Sequence, residues 1–420
     1  MSPELPSYDE AAAIVAEHAR RLERSHPEVE HVKLGQSAGR VLARALRADR
    51  DQPAFARSTR DGFACRAGDA SALGWLQVAG STRAGDAPSG PVEQGAAWEI
   101  MTGAPVPKGA DAVMMLEHVE AQVEAVDGRV RLLSSRTVRA GENIVARGAE
   151  AKKGGELLRV GSKIGAAQIA LAAACGSATL GVFARPRVAI LATGDELVPL
   201  EKTPEQGKIR NSNAPMLAAM VAEQGGMPWL LPIAADTSRA LDAALARAAD
   251  ADLLLITGGV SAGKFDLVEP ALARTGARFH FTGVKIQPGK PAVFGERPVK
   301  TKSRPTKRIQ YFFGLPGNPV STAVTFLLFG VAMLRALAGM RDGGPRFALA
   351  RLSADVKVKR GLTRFLPAAC TFAGAMPEVA PAGWQGSGDI AAMARANCFL
   401  AVPEDSEQLD AGAIVRILMM

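Results

Sequence analysis

Two glycine-rich segments carry the most direct chemical signal in the chain. They are Leu-Leu-Leu-Ile-Thr-Gly-Gly-Val-Ser-Ala-Gly at 253–263 and Gly-Leu-Pro-Gly-Asn-Pro-Val-Ser at 314–321. Each places a turn between an apolar, strand-like run and a helix-like one, the arrangement by which α/β proteins aim free amide N–H groups at phosphates and other oxyanions. In the first, Gly258 and Gly259 remove side chains that would block close approach, and Ser261 adds a hydroxyl donor. In the second, Asn318 suits a helix N-cap and Pro319 its first turn, while Gly317 allows a tight turn against the sheet. Lys290 lies between the two, in Gln287-Pro288-Gly289-Lys290-Pro291, and offers a mobile positive charge. Four acids punctuate the same stretch: Asp195, Glu196, Asp236 and Asp266. Each has two readings, capping of a helix or loop, and recruitment of a hard divalent cation such as Mg²⁺ beside a bound phosphate.

The elements that must hold these residues are legible from periodicity. Residues 178–339 alternate strand-like and helix-like runs. Strands are expected at 188–191, 229–233, 253–256 and 309–313, and helices at 216–224, where the Asn211-Ser212-Asn213 cap precedes, and at 238–249. Short connections between them predict a doubly wound, mostly parallel sheet with ligands at the strand carboxyl ends. A helical stripe of Ile14, Val15, Ala19 and Leu22 opens the chain, and a further helix is expected over 161–174. Between them, residues 41–145 break into short apolar runs separated by Gly, Pro and Asp, the texture of strands in tight turns. A strand-like rhythm returns after Gly343-Gly344-Pro345. The expected fold class is therefore α/β plus β. An N-terminal helical and linker unit (1–40 and 141–177) carries a β-rich insertion (41–140), followed by an α/β domain (178–340) and a C-terminal β domain (341–420).

Composition narrows the partners. The chain has 420 residues, 48% of them hydrophobic, enough for several cores. Its 50 basic and 42 acidic residues leave a formal charge of +8, but the basic residues are dispersed and only 5% of residues are aromatic. No nucleic-acid groove is expected, since that needs basic stripes interleaved with aromatics; the basic cluster at 300–308 reads as a solvated loop. The four cysteines, Cys65, Cys175, Cys370 and Cys398, have neither zinc-ribbon nor disulfide-framework spacing and read as buried thiols. The longest apolar stretch, 323–334, is short for a bilayer and reads as a buried helix, so the expectation is a cytoplasmic protein without membrane segments.

With these segments assembled, the chain resembles the MoeA family of molybdopterin molybdenumtransferases, whose eukaryotic relatives include the gephyrin E domain. The resemblance spans 58–64, 101–113 with Glu117, 193–197, 210–213, 257–266, 288–291, 314–321, Gly386-Ser387-Gly388 and 394–397, in order and spacing. It implies transfer of molybdate into adenylylated molybdopterin with release of AMP, a Mg²⁺ requirement, and a homodimer whose clefts each combine one subunit's α/β domain with the other's β-rich insertion. It implies catalytic roles for Asp61, Thr102, Glu196, Asp236, Asp266 and Lys290, and metal binding by Asp195, Glu196 and Asp266. The pterin and AMP site would draw on Arg210, Ser212, Asn213, Gly258, Gly259, Ser261, Gly263, Pro288, Gly289, Gly317, Asn318, Pro319 and Ser321. Ser261, Arg210 and Lys290 are the candidates for the molybdate dianion, which needs donors. An adenylyltransferase that supplies the substrate is an implied partner. Three positions depart from the family pattern: Asn211 stands where some relatives have an acid, Glu150 where Asp is frequent, and Pro367 where an arginine is expected, with Arg364 nearby. Two other readings stay open, a related adenylyltransferase and a non-catalytic scaffold. The first leaves Asp61, Thr102 and the C-terminal β domain unexplained.

Overall fold

The computed structural model describes residues 4–420 except 23–27, 88–89, 123–127, 260–266, 302–305, 307 and 342. The central layer is a six-stranded sheet in the order Met227–Leu230, Arg187–Ala192, Leu253–Thr257, Arg308–Leu315, Val293–Val299, Arg278–Thr282. The first four strands are parallel; Val293–Val299 runs against them, and Arg278–Thr282, antiparallel to it in turn, forms the far edge. Leu253–Thr257 is apolar until its last residue and buried throughout, as a strand covered on both faces must be. One face packs Leu241, Leu245 and Leu272 from the helices Ser238–Ala248 and Val268–Arg274. The other packs Leu217 and Val221, the buried helical run 319–337 and, from the start of the chain, Tyr8, Ala11, Val15 and Ala19.

That last contact divides the expected grouping of 1–40 with 141–177. The helix Tyr8–Leu22 spends its apolar stripe on the α/β core, whereas Val29–Lys33 pairs with Thr179–Phe183 and shares a small core of Leu42, Ile164, Ala172 and Val182. The helix expected over 161–174 is formed only from Ala166 to Ala174, with Gly165 as its N-cap. The two antiparallel edge strands escape a periodicity reading because Gly295 and Pro298 interrupt one of them. Pro298 lies beyond Glu296, where the pairing with Arg278–Thr282 ends, so it breaks no bond of that ladder.

The insertion holds a six-stranded sheet ordered Ala112–Met115, Gly62–Cys65, Ala96–Ile100, Leu76–Thr82, Arg129–Leu132, Val119–Gln122. At the other end of the chain, Phe347–Leu352, Ile414–Met419, Cys398–Val402, Thr363–Thr371 and Glu378–Pro381 close into a barrel, each paired with the next and the last with the first. All four cysteines are free and buried, and burial pushes the Cys65 and Cys398 thiols up to about 12. The run 319–337 is longer than its apolar core suggests. It has 19 residues and a mean hydropathy of 1.9, enough to pass for a membrane span, but 89% of that window is buried inside the protein.

Candidate active site

The carboxyl ends of the parallel strands open into a cleft of about 700 Å³ that gathers much of the expected constellation. Its wall includes Glu196, Arg210, Ser212, Asn213, Gly258, Gly259, Gly317, Asn318 and Pro319, with Gly388 and Ile390 reaching in from the C-terminal region.

The two glycine turns meet at its floor. Gly258 has φ +90°, and a Cβ there would stand 2.2 Å from the Thr193 carbonyl oxygen; Gly259, at φ +62°, would place one 2.7 Å from Val268 Cγ2. Only glycine fits either position. Gly317 differs from the expectation. Its φ is not in the left-handed region and a Cβ would make only ordinary van der Waals contact, 3.6 Å from Gly258 Cα, so neither a strained dihedral nor crowding demands glycine there.

Asn213 fastens this floor. Its side-chain Nδ2 donates to Thr257 Oγ1 at 2.8 Å and to the Gly317 carbonyl at 2.6 Å, joining both turns to the start of the helix Asn213–Glu223. The residue is 8% exposed, and its Oδ1 is buried without a partner. The capping role expected of this asparagine cluster falls instead to Asn211, whose Oδ1 accepts the Ala214 N–H at 3.2 Å. Asn318 is likewise no side-chain cap: its Nδ2 donates to Ser387 Oγ at 2.8 Å, and Val320 N donates to the Ser387 carbonyl at 3.0 Å. The Gly-Ser-Gly segment is thereby latched to the second glycine turn. Asp389 beside it accepts N–H bonds from Ala392 and Gln385, which hold its carboxyl below the usual range. Pro319 occupies the first turn of its helix as expected. Ser321 does not line the cleft; it is 4% exposed, inside that helix.

The acids separate by what they already hold. Asp236 accepts the Thr193 hydroxyl at 2.6 Å on one oxygen and the Asp195 N–H at 3.4 Å on the other, while Asp195 Oδ1 accepts the Asp236 N–H at 3.1 Å. These two carboxylates tie two loops together and neither lines the cleft. Glu196 does line it, is exposed, and its carboxylate makes no hydrogen bond or ion pair among the described residues. Arg210 Nε donates to the Leu200 and Lys202 carbonyls, which fixes the guanidinium at the wall. Pro288 and Gly289 are buried, and Lys290 emerges exposed next to Pro291, a cleft residue. The adjoining Ile286–Gln287 pairs with Thr363 and Arg364 of the barrel, so that loop is held by two domains. Ser261, Gly263 and Asp266 lie outside the described residues.

Asp61 and Thr102 stand together but elsewhere. The Asp61 carboxylate accepts the Thr102 N–H at 2.7 Å, both residues are exposed on the β-rich insertion, and neither lines the cleft of this chain. At the divergent positions, Glu150 pairs with Arg57 at 3.0 Å; Pro367 lies within a barrel strand; and Arg364, 9% exposed, donates to the Leu362 carbonyl. Sequence reading missed the pinning by Asn213 and the Ser387 latch, whose only signal was a polar residue inside a glycine motif.

Three family descriptions match the chain consecutively: MoeA N-terminal region (domain I and II) over 6–176, probable molybdopterin binding domain over 189–336, and MoeA C-terminal region (domain IV) over 349–420. The molybdopterin molybdenumtransferase of a Nostoc species is 32% identical over 424 aligned positions, covering 99% of this chain and 94% of its own length. The chain belongs to the molybdopterin molybdenumtransferase family. The Bacillus subtilis member is 33% identical over 94% of this chain and 90% of its own. A solved structure, the molybdopterin biosynthesis MoeA protein of Pyrococcus horikoshii OT3, superposes with a TM-score of 0.78 at 29% identity, covering 99% of this chain and all of that one. As a molybdenumtransferase-family enzyme, the chain acts in molybdenum cofactor biosynthesis, and the cleft at the glycine turns lies in the part matched as molybdopterin-binding.

Proposed function

We propose that the cleft binds adenylylated molybdopterin, that water cleaves the bond between its two phosphates so that AMP leaves and molybdopterin keeps a monophosphate, and that the two dithiolene thiols displace one oxygen of molybdate as water, leaving molybdenum on the sulfurs. The observation that carries this reading is the pair of glycine turns held edge to edge by Asn213 at the N-terminus of the helical run 319–337. That floor presents backbone donors to a phosphate, and the helix end adds favourable potential for negative charge. Lys290 and Arg210 at the rim bring cationic donors to molybdate or the leaving nucleotide.

A hard divalent cation fits the donor set. Glu196 is a cleft carboxylate with no protein partner among the described residues, an oxygen ligand of the kind Mg²⁺ takes alongside phosphate and water. When bound, Mg²⁺ neutralises charge on the phosphates as the bond between them is cleaved. Asp195 and Asp236 position the Glu196 loop through their mutual backbone bonds. Asp61 and Thr102 complete the site from a second copy of the chain, consistent with their absence from the cleft of their own subunit.

The test is incubation of the purified protein with adenylylated molybdopterin, molybdate and Mg²⁺, reading AMP release and active cofactor together. Both should appear, and excess chelator should abolish them; full AMP release in chelator would overturn the metal requirement. Light scattering should report twice the 43.8 kDa chain mass. Mixed dimers of Asp61→Ala and Glu196→Gln subunits should regain activity absent from either homodimer, since one cleft then holds both intact acids.

A further inference from the structure

At the amino ends of the parallel strands, the end of the sheet opposite the glycine turns, three side chains from different elements converge on one small volume. His18 comes from the N-terminal helix, His280 from the edge strand Arg278–Thr282, and Glu296 from the neighbouring strand Val293–Val299. One donor atom from each lies within 4.8 Å of the other two. His18 Nδ1 stands 3.8 Å and His280 Nε2 3.7 Å from the same Glu296 oxygen, Oε2. We propose that His18, His280 and Glu296 form a binding site for a borderline-soft divalent transition cation of the Zn²⁺ class, clipping the N-terminal helix to the antiparallel edge of the sheet.

The local backbone is built to bring these donors together. The pairing of Arg278–Thr282 with Val293–Val299 slips between Phe279, opposite Gly295, and Phe281, opposite Phe294, which makes His280 the bulged residue. Phe279 packs against Phe312 in the core on one face, and Phe281 packs in the core on the other. The bulge turns His280 to the Phe281 side, against Phe294 and in tilted contact with His18, at a ring-centroid distance of 4.0 Å and an interplanar angle of 38°. Bulges re-aim side chains in this way. Glu296 lies directly across the ladder from Tyr311, whose hydroxyl is 3.3 Å from His18 Nδ1.

Both imidazoles are 7% exposed at the side chain, and His280 Nε2 is buried and makes no hydrogen bond of ordinary length, its contact with Glu296 being 3.7 Å. Burial holds both histidines below their ordinary range, against the opposing pull of Glu296. The cations nearby are Arg21, which is paired with Glu17 on the same helix, and Arg278. Tetrahedral Zn²⁺ with bonds of about 2.1 Å separates its ligand atoms by roughly 3.4 Å. The two nitrogen–oxygen spacings therefore need to close by only a few tenths of an ångström, while the two imidazole donors stand within 4.8 Å of each other. Two imidazoles and one carboxylate favour Zn²⁺, Co²⁺ or Ni²⁺ over Mg²⁺, which takes oxygen donors and keeps its waters. Glu296, 20% exposed at its side chain, marks the opening through which a fourth ligand, water, enters.

The experiment uses the full chain stripped with chelator and titrated with Zn²⁺ by calorimetry in excess Mg²⁺. One equivalent should bind, with a rise in melting temperature, and Glu296→Gln and His280→Gln should each weaken binding by roughly 100-fold. Substoichiometric binding by the wild type, or equal affinity in both variants, overturns the proposal. Co²⁺ added to the wild type supplies a reading that needs no variant to fold. The intense visible bands of a four- or five-coordinate site support the proposal, and the weak spectrum of six-coordinate Co²⁺ refutes it.

Discussion

The glycine-turn cleft and the Asp61–Thr102 turn use the same device, a side chain that holds a remote backbone group, and differ in where it is spent. In the cleft the holding group is buried: Asn213, 8% exposed, supports a floor in which Gly258 sits where no Cβ fits. In the insertion the holding group is an exposed carboxylate on a single exposed amide. A buried donor that loses its role leaves an unsatisfied group in a low-dielectric interior, whereas an exposed amide is taken up by water. The cleft is therefore architecture and chemistry at once, while at Asp61 the two can be separated by mutation.

The strongest way to break this contrast is Gly258→Ala. With φ +90° and a carbonyl oxygen 2.2 Å from the new Cβ, the turn must move. A loss of about 3 kcal/mol and a fall of at least about 100-fold in AMP release are expected, read by calorimetry and turnover. A variant with native melting and rate would show that the floor is not rigid. Next is Asn213→Ala, which strips the Gly317 carbonyl of its side-chain donor; about 2 kcal/mol and about tenfold in kcat/KM should be lost.

At the exposed turn the comparison sharpens through charge. Asp61→Asn keeps an acceptor for the Thr102 N–H and should change stability by less than about 0.5 kcal/mol, yet molybdenum insertion should fail if the negative charge is what serves the site. Wild-type insertion by Asp61→Asn would reduce this residue to a turn former. The smallest effect concerns Asp389, the half-buried acid behind Ile390 at the cleft wall. Its folded-state pKa is depressed, chiefly by the Ala392 and Gln385 N–H groups, so its contribution is present above the ordinary aspartate range and lost as pH falls through the folded value. Melting temperature measured below about pH 4 should decline slightly less steeply in Asp389→Asn than in the wild type.

The glycine turns, the parallel strands and the barrel strands were legible because their signals are local. A buried strand such as Leu253–Thr257 is a short apolar run, and Pro319 and Gly258 announce a helix start and a left-handed turn through their own stereochemistry. Periodicity likewise exposed the apolar stripe of the first helix. The surface on which that stripe is buried was not legible, because an amphipathic face is satisfied by any apolar partner; only the folded chain sets Tyr8, Ala11, Val15 and Ala19 against the α/β core.

Side-chain partnerships were the other hidden layer. Asn211, Ser212 and Asn213 look alike as capping residues, and tertiary structure alone makes Asn211 the cap and Asn213 the pin, since the pin's acceptors lie 44 and 104 residues away. The same holds for Asn318 with Ser387, and for His18 with His280 and Glu296. Local periodicity and turn chemistry determined most of the elements this chain forms, and the resemblance of its motifs indicated the family that the matches show. Which polar group meets which was decided by the packed fold, because hydrogen bonds and ligand sets depend on distances of a few ångströms between residues that sequence separates by dozens to hundreds.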